Sequence, residues 1–152
     1  QDESTFELGG INLEVYQLPG HTKGTMIVLI PEEKILITGD ACNTATFLFD
    51  ENSLTVEEYK ENLSEVQEKL TGRFDRIFMM HHDIEASKNL LQNVIDVCDD
   101  ILQGNADDME FEFMGQMNYI AKNVGEGFKR LDGGEGNMVD NKEKITKGNL
   151  LR

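Results

Sequence analysis

His21, Asp40, His81 and His82 are the residues of this chain whose types could build a metal centre. Imidazole nitrogen and carboxylate oxygen are donors that zinc, iron and manganese accept without thiolate. His21 stands in Pro19-Gly20-His21-Thr22-Lys23-Gly24, Asp40 ends Thr38-Gly39-Asp40, and His81-His82 follow the run from Arg76 to Met80. Singly, each has a plainer reading. A histidine between turns is commonly a surface residue, and a Gly-Asp pair after a strand is commonly a turn or cap. His81-His82 beside Asp83 could equally cap the following helix or solvate a loop. What gives these residues weight is the set of elements that must carry them.

Apolar and polar residues alternate from Ile11 to Val15, the period of a strand with one buried face, and Gly9-Gly10 before it reads as a turn. Thr25 to Ile30 is mostly apolar, Pro31-Glu32-Glu33-Lys34 has turn chemistry, and Lys34 to Thr38 is apolar again. That pattern is a hairpin. His21 precedes its outgoing strand and Asp40 follows its returning one, so antiparallel pairing brings both to one end of the sheet. Val56, Tyr59, Leu63, Val66 and Leu70 line one helical face, and Thr55 with Glu58 forms a capping box in front of it. Arg76 to Met80 reads as a buried strand. If it lies beside the hairpin in the appropriate direction, His81 and His82 join Asp40 and His21 at one rim. A second helix carries Leu90, Leu91, Val94, Ile95, Cys98, Ile101 and Leu102 and is stopped by Gly104. Beyond Asp107, Met109, Phe111 and Phe113 alternate with glutamates, and repeated glycines break the remainder into short hairpins and loops. The segment from Leu131 to Asn137 lacks the acidic spacing of a calcium loop and the lysine of a phosphate loop, so it reads as tight turns.

Strands interleaved with helices favour an α/β layer architecture with a mixed sheet. A chain of 152 residues, 39% hydrophobic and 28% charged, is the size and composition of one ordinary domain. Its 14 basic against 29 acidic residues leave a formal charge of −15, which repels a phosphate backbone and makes nucleic acid a poor partner. No uncharged apolar window is long enough to span a membrane, and Gln1-Asp2-Glu3-Ser4 lacks the features of a signal peptide; the expected compartment is cytoplasmic. Cys42 and Cys98 are then expected to be thiols. Cys98 belongs to a helical apolar face, whereas Cys42, two residues after Asp40, is a secondary ligand candidate near the mouth of the site.

The order Pro-Gly-His-Thr-x-Gly, apolar hairpin, Gly-Asp, helix, strand, His resembles the C-terminal half of the metallo-β-lactamase superfamily. The resemblance runs from Phe6 to about Gln103, while the tail, 105–152, is less diagnostic. It implies that residues 1–152 are half of an αββα sandwich, a mixed sheet with flanking helices. Carried over, it makes His21 a ligand of a first metal, Asp40 the carboxylate bridging two metals and the residue that orients the nucleophile, and His81 a ligand of the second. His82 is the alternative to His81, because the family's Pro-Gly-His-Gly wording is here Met79-Met80-His81-His82. The family's His-x-His-x-Asp-His signature is absent, and the chain has only three histidines.

The resemblance therefore implies a portion of a metal-dependent hydrolase with an incomplete site. The intact enzyme would hold two divalent ions, zinc being expected and iron or manganese the alternatives, with partial or no occupancy in this chain. The substrate would be a small molecule. A half-sandwich also leaves a sheet face to be covered by the missing N-terminal half or by self-association. A different class of reading is a non-catalytic module that uses that sheet to bind a partner.

Overall fold

A computed structural model of the chain describes residues 3–79, 84–143 and 145–146. Strands β1 (Glu3–Leu8), β2 (Ile11–Gln17), β3 (Met26–Ile30) and β4 (Ile35–Ile37) come first, followed by β5 (Thr46–Leu48) and helix α1 (Val56–Leu70). Strands β6 (Arg76–Phe78) and β7 (Glu85–Ala86) then lead to helix α2 (Leu90–Leu102), and the tail contributes β8 (Met109–Phe113), β9 (Gln116–Ile120) and β10 (Met138–Asp140). One sheet has six strands in the order β1-β2-β3-β4-β6-β7 and the other four in the order β5-β10-β9-β8. Each contains one parallel pair, β4 with β6 and β5 with β10, so both sheets are mixed. The fold is α/β, as the interleaving of strands and helices implies.

Local chemistry explains the boundaries. Gly9 and Gly10 both have positive φ (60° and 94°), as a two-residue hairpin turn between β1 and β2 requires. β1 itself is too rich in Glu, Ser and Thr to announce a strand, and it is its pairing with β2 from Glu3↔Tyr16 to Leu8↔Ile11 that defines it. The capping box at α1 is present in both directions: Glu58 donates its backbone N–H to Thr55 Oγ1 at 3.1 Å, and Thr55 donates its own to Glu58 Oε1 at 3.1 Å. Gly104, at φ 77°, takes the left-handed position just past α2. β6 ends at Phe78, before the apolar run does, because its neighbour β4 has by then turned away into a 3-10 turn at Gly39–Ala41.

Both helices cover the same face of the six-stranded sheet. Ile27, Leu29, Leu36 and Ile77 point into that side and are fully buried with Tyr59, Leu63, Leu70, Leu90, Leu91 and Val94 in one core. Burying each such aliphatic side chain contributes roughly 1.5–3 kcal/mol. A Lys60–Asp99 ion pair ties α1 to α2, and Arg73 grips Glu14 through two 2.8 Å bonds, fixing the end of α1 to β2. The opposite face is also apolar, and among the described residues nothing covers it: Phe6 is 54% and Leu8 61% exposed, with Ile11, Met26 and Ile37 exposed beside them. In the four-stranded sheet Met138 joins the main core, while Val139 and Ile120 face the other way with Phe47, Phe49, Phe111 and Phe128. Among the described residues no helix is long and apolar enough to cross a membrane.

Candidate metal centre

The sheet topology gathers the chemistry-bearing segments at one edge. Val28 of β3 faces Ile37 of β4, and Ile37 in turn faces Phe78 of β6. The loop leading into β3, the turn leaving β4 and the chain leaving β6 therefore all lie at that edge. The first carries His21, the second Asp40. Thr38 donates its N–H to the Phe78 carbonyl at 3.0 Å, so the backbone just before Asp40 touches the end of the strand that precedes His81 and His82. Met80 to Asp83, with both of those histidines, lie outside the described residues.

His21 is held in a defined state. Its Nδ1 lies 2.8 Å from the carbonyl oxygen of Phe47, on β5. A carbonyl oxygen only accepts, so Nδ1 is the donor, and in the neutral ring Nε2 is left as the lone-pair nitrogen. This is the arrangement by which a backbone carbonyl fixes the tautomer of a metal-binding histidine. The backbone around the ring is equally constrained. Ser53 Oγ donates to the His21 carbonyl at 2.8 Å, Leu54 N–H to the Gly20 carbonyl at 2.8 Å, and Asn62 Nδ2 to the Pro19 carbonyl at 3.1 Å.

Tyr59 joins the two loops. Its ring lies so close over Gly20 that a Cβ there would sit 2.1 Å from Tyr59 Cδ1, which is why the motif needs glycine at this place. Its hydroxyl donates to the Ala41 carbonyl at 2.6 Å, next to Asp40. Full burial pushes the phenol's pKa well up, so it remains a donor. Sequence reasoning placed Tyr59 only on an apolar helix face; its register opposite the Pro-Gly-His loop is a tertiary fact that spacing within the helix does not carry. On the Asp40 side, Asn43 Nδ2 donates to the Gly39 carbonyl at 3.2 Å and Asn43 N–H to Thr46 Oγ1 at 3.0 Å, securing the turn against β5. The same strand thus braces both candidate ligands.

Cys42, expected near the mouth, is fully buried in the main core. Burial pushes its thiol up to about 12, the Tyr59 hydroxyl only partly offsetting this. Cys98 is buried as well, and both cysteines are free. Among the described residues no group of three His, Cys, Asp or Glu could hold a metal ion. The donors that are described, one imidazole with a free Nε2 and one carboxylate, fit the ligand chemistry of zinc, iron or manganese, and further donors are needed to close a site.

No family model and no curated protein sequence matches the chain. Solved structures do. A metallo-β-lactamase from Pontibacter korlensis is similar over 62% of this chain and 44% of its own length, at 24% identity and a TM-score of 0.53. The lactamase TMB-1 matches over 63% of this chain and 44% of its own, at 21% identity and a TM-score of 0.52. The sec-alkylsulfatase Pisa1 from Pseudomonas sp. matches over 68% of this chain and 18% of its own, at 15% identity and a TM-score of 0.54. At these identities the likeness is one of fold. The chain has the fold of part of the metallo-β-lactamase superfamily's domain, and it spans less than half the length of these structures.

Proposed function

We propose that this chain is the C-terminal portion of a metal-dependent hydrolase domain acting on a small electrophilic substrate. His21, Asp40 and His81, or His82 in its place, would be ligands of two divalent ions, zinc first and iron or manganese next. The observation that carries the reading is the 2.8 Å approach of His21 Nδ1 to the Phe47 carbonyl, a contact that in the neutral ring leaves Nε2 as the nitrogen able to bind. When bound, the metal lowers the pKa of a coordinated water and stabilises the negative charge that develops on the substrate. The chain's own residues supply the frame. His21 would offer Nε2, and Asp40 would offer its carboxylate to the ions and would orient the attacking water. The Tyr59 ring packed on Gly20 and the Ser53 hydroxyl keep the His21 loop from relaxing, and Asn43 with the Tyr59 hydroxyl keeps the Asp40 turn in place.

Ligand counting limits what these residues do alone. His21 with Asp40 gives one ion two ligands, and Asp40 with His81 gives the other two, where a catalytic zinc usually has three and a water. The isolated chain is therefore expected to bind zinc weakly and to hydrolyse little. The uncovered apolar face of the six-stranded sheet supports the same reading, because a second sheet of the sandwich, bearing the remaining ligands, would cover it. A second copy seated there is the competing outcome.

The test is made on the longest protein the gene encodes. Metal-dependent hydrolysis of a generic ester, thioester or phosphodiester is expected, with Asp40→Asn losing both bound metal and kcat and Cys42→Ser keeping both. Loss of metal in Cys42→Ser with Asp40→Asn unaffected would overturn the assignment and reduce Gly39-Asp40 to a structural turn.

A further inference from the structure

The four-stranded sheet ends on β8, which has β9 on one side and no strand on the other. The turn that joins them, Met114-Gly115, has positive φ at both residues (53° and 78°), as a two-residue hairpin requires. In such a hairpin the flanking pair, Phe113 and Gln116, exchanges hydrogen bonds, and the alternation continues through Phe111↔Asn118 and Met109↔Ile120. The backbone N–H and C=O of Glu110 and Glu112 therefore point to the open edge. Among the described residues nothing bonds to them there.

The two faces of this edge strand differ in chemistry. Met109, Phe111 and Phe113 share one, where the Phe111 and Phe113 rings stack with centroids 5.9 Å apart. Phe113 continues the apolar shelf to Phe49 and Phe47, at 5.7 and 6.2 Å. Met109 and Phe113 are each 38% exposed, so the shelf reaches the edge. The other face carries Glu110 and Glu112, both exposed and in no ion pair among the described residues. Lys142, over the Tyr119 ring beside Glu110, is paired instead with Asp108.

Those glutamates decide what the edge accepts. If two copies of β8 paired antiparallel about Phe111, Glu110 of each would face Glu112 of the other; a shift of two residues either way sets Glu110 or Glu112 against itself. Like charges directly opposite destabilise a strand pair. A second copy is thus a poor partner, and a strand with lysine or arginine at those places is a good one.

We propose that β8 is a docking edge for an extended segment of another protein in which basic and apolar residues alternate. Its backbone would pair with Glu110 and Glu112, its basic side chains would face the two carboxylates, and its apolar ones would rest against Phe111 and Phe113. Strand addition of this kind takes affinity from the backbone bonds and selectivity from alternate side chains. The chain's net charge of −15 draws a basic segment toward it. Nothing in this docking depends on a metal at the His21 edge.

The test titrates the 152-residue chain with three blocked peptides and reads hydrogen exchange at each amide. One alternates lysine and valine, the second has glutamate for lysine, and the third is the lysine peptide N-methylated at the lysine amides that would face β8. The lysine peptide should bind about tenfold more tightly than the glutamate peptide, the scale of two exposed charge pairs, and slow exchange at Glu110 and Glu112. Glu110→Gln combined with Glu112→Gln, two surface changes, should erase most of that preference, and N-methylation should abolish the slowing. No binding of the lysine peptide at millimolar concentration, equal binding of the glutamate or N-methylated peptide, or an unaltered preference in the double variant would overturn the proposal. So would protection of the same amides without peptide, whether it grows with the concentration of this chain or is present in the longest protein the gene encodes. A second copy or the chain's own remainder would then fill the edge.

Discussion

The two faces of the six-stranded sheet are built from the same strands and differ in what covers them. On one, Ile27, Leu29, Leu36 and Ile77 lie beneath α1 and α2 with no exposed surface. On the other, Met26 and Ile37 are half exposed although they alternate with those very residues. A strand that is half solvated by design reads apolar-polar-apolar, whereas Met26-Ile27-Val28-Leu29-Ile30 is apolar throughout. Continuous apolarity is the pattern of a strand buried on both sides. The difference between the faces is what the proposed second layer would explain.

Adjacent residues of β4 make the largest contrast. Leu36→Ala on the covered face is expected to cost about 2–5 kcal/mol, the range for emptying a packed aliphatic site. Ile37→Ala on the open face should cost less than about 1 kcal/mol in the isolated chain. Urea unfolding of both variants measures the two values. Comparable losses would mean that the open face is already covered, by a second copy, and the loss in Ile37→Ala would then depend on protein concentration.

The four-stranded sheet turns a carboxylate toward the main core. Asp140 shares a face with core residue Met138, is fully buried, and has neither carboxylate oxygen hydrogen-bonded among the described residues. Burial pushes its carboxyl from 3.8 up to about 7, with Lys142 pulling it down and Asp108 adding to the rise. A carboxyl that binds its proton more tightly in the folded chain stabilises the fold at low pH. That contribution is lost as pH rises from about 4 to about 7 and stays lost above. Asp140→Asn should remove this slope and raise stability at pH 8 by on the order of 2–4 kcal/mol. Parallel stability–pH curves for the variant and the parent would contradict the burial of this group.

Smaller effects separate the helical cover from the site it supports. Gly20→Ala drives a methyl into the Tyr59 ring and should cost about 1–3 kcal/mol while displacing the His21 loop. Its zinc affinity should fall further than that of Tyr59→Phe, which removes only the bond to the Ala41 carbonyl. Thr55→Ala, which deletes the cap of α1, should cost about 1 kcal/mol and leave His21 in place. If Thr55→Ala perturbed zinc binding as much as Gly20→Ala, the site would depend on the helix as a whole and not on the contact of Tyr59 with Gly20.

How much of this was legible in the sequence follows from how local each signal is. The hairpin, the capped helix and the Gly104 stop rest on residues within a few positions of one another, and the observed elements agree with them. β1 and β5 escaped, since three to six residues of mixed polarity acquire strand character only from a partner. The reach of Tyr59 to two loops and the brace that Phe47 gives His21 span 18 to 39 residues and have no local signature. Cys42 reads from its position as a neighbour of the site, but the backbone turn at Gly39–Ala41 sends it into the core.

The proposed function turns on the neutral His21 ring presenting its Nε2 at an edge where Asp40 would share a metal. It is tested most directly by long-range nitrogen–proton correlation spectra of the His21 ring, recorded near pH 7.5 in the parent chain and in Asp40→Asn, before and during a zinc titration. The account predicts the Nδ1–H tautomer at the outset, a zinc-induced shift confined to Nε2, and a weaker response in Asp40→Asn. An Nε2–H tautomer that ignores zinc, or a response that Asp40→Asn leaves unchanged, would contradict it.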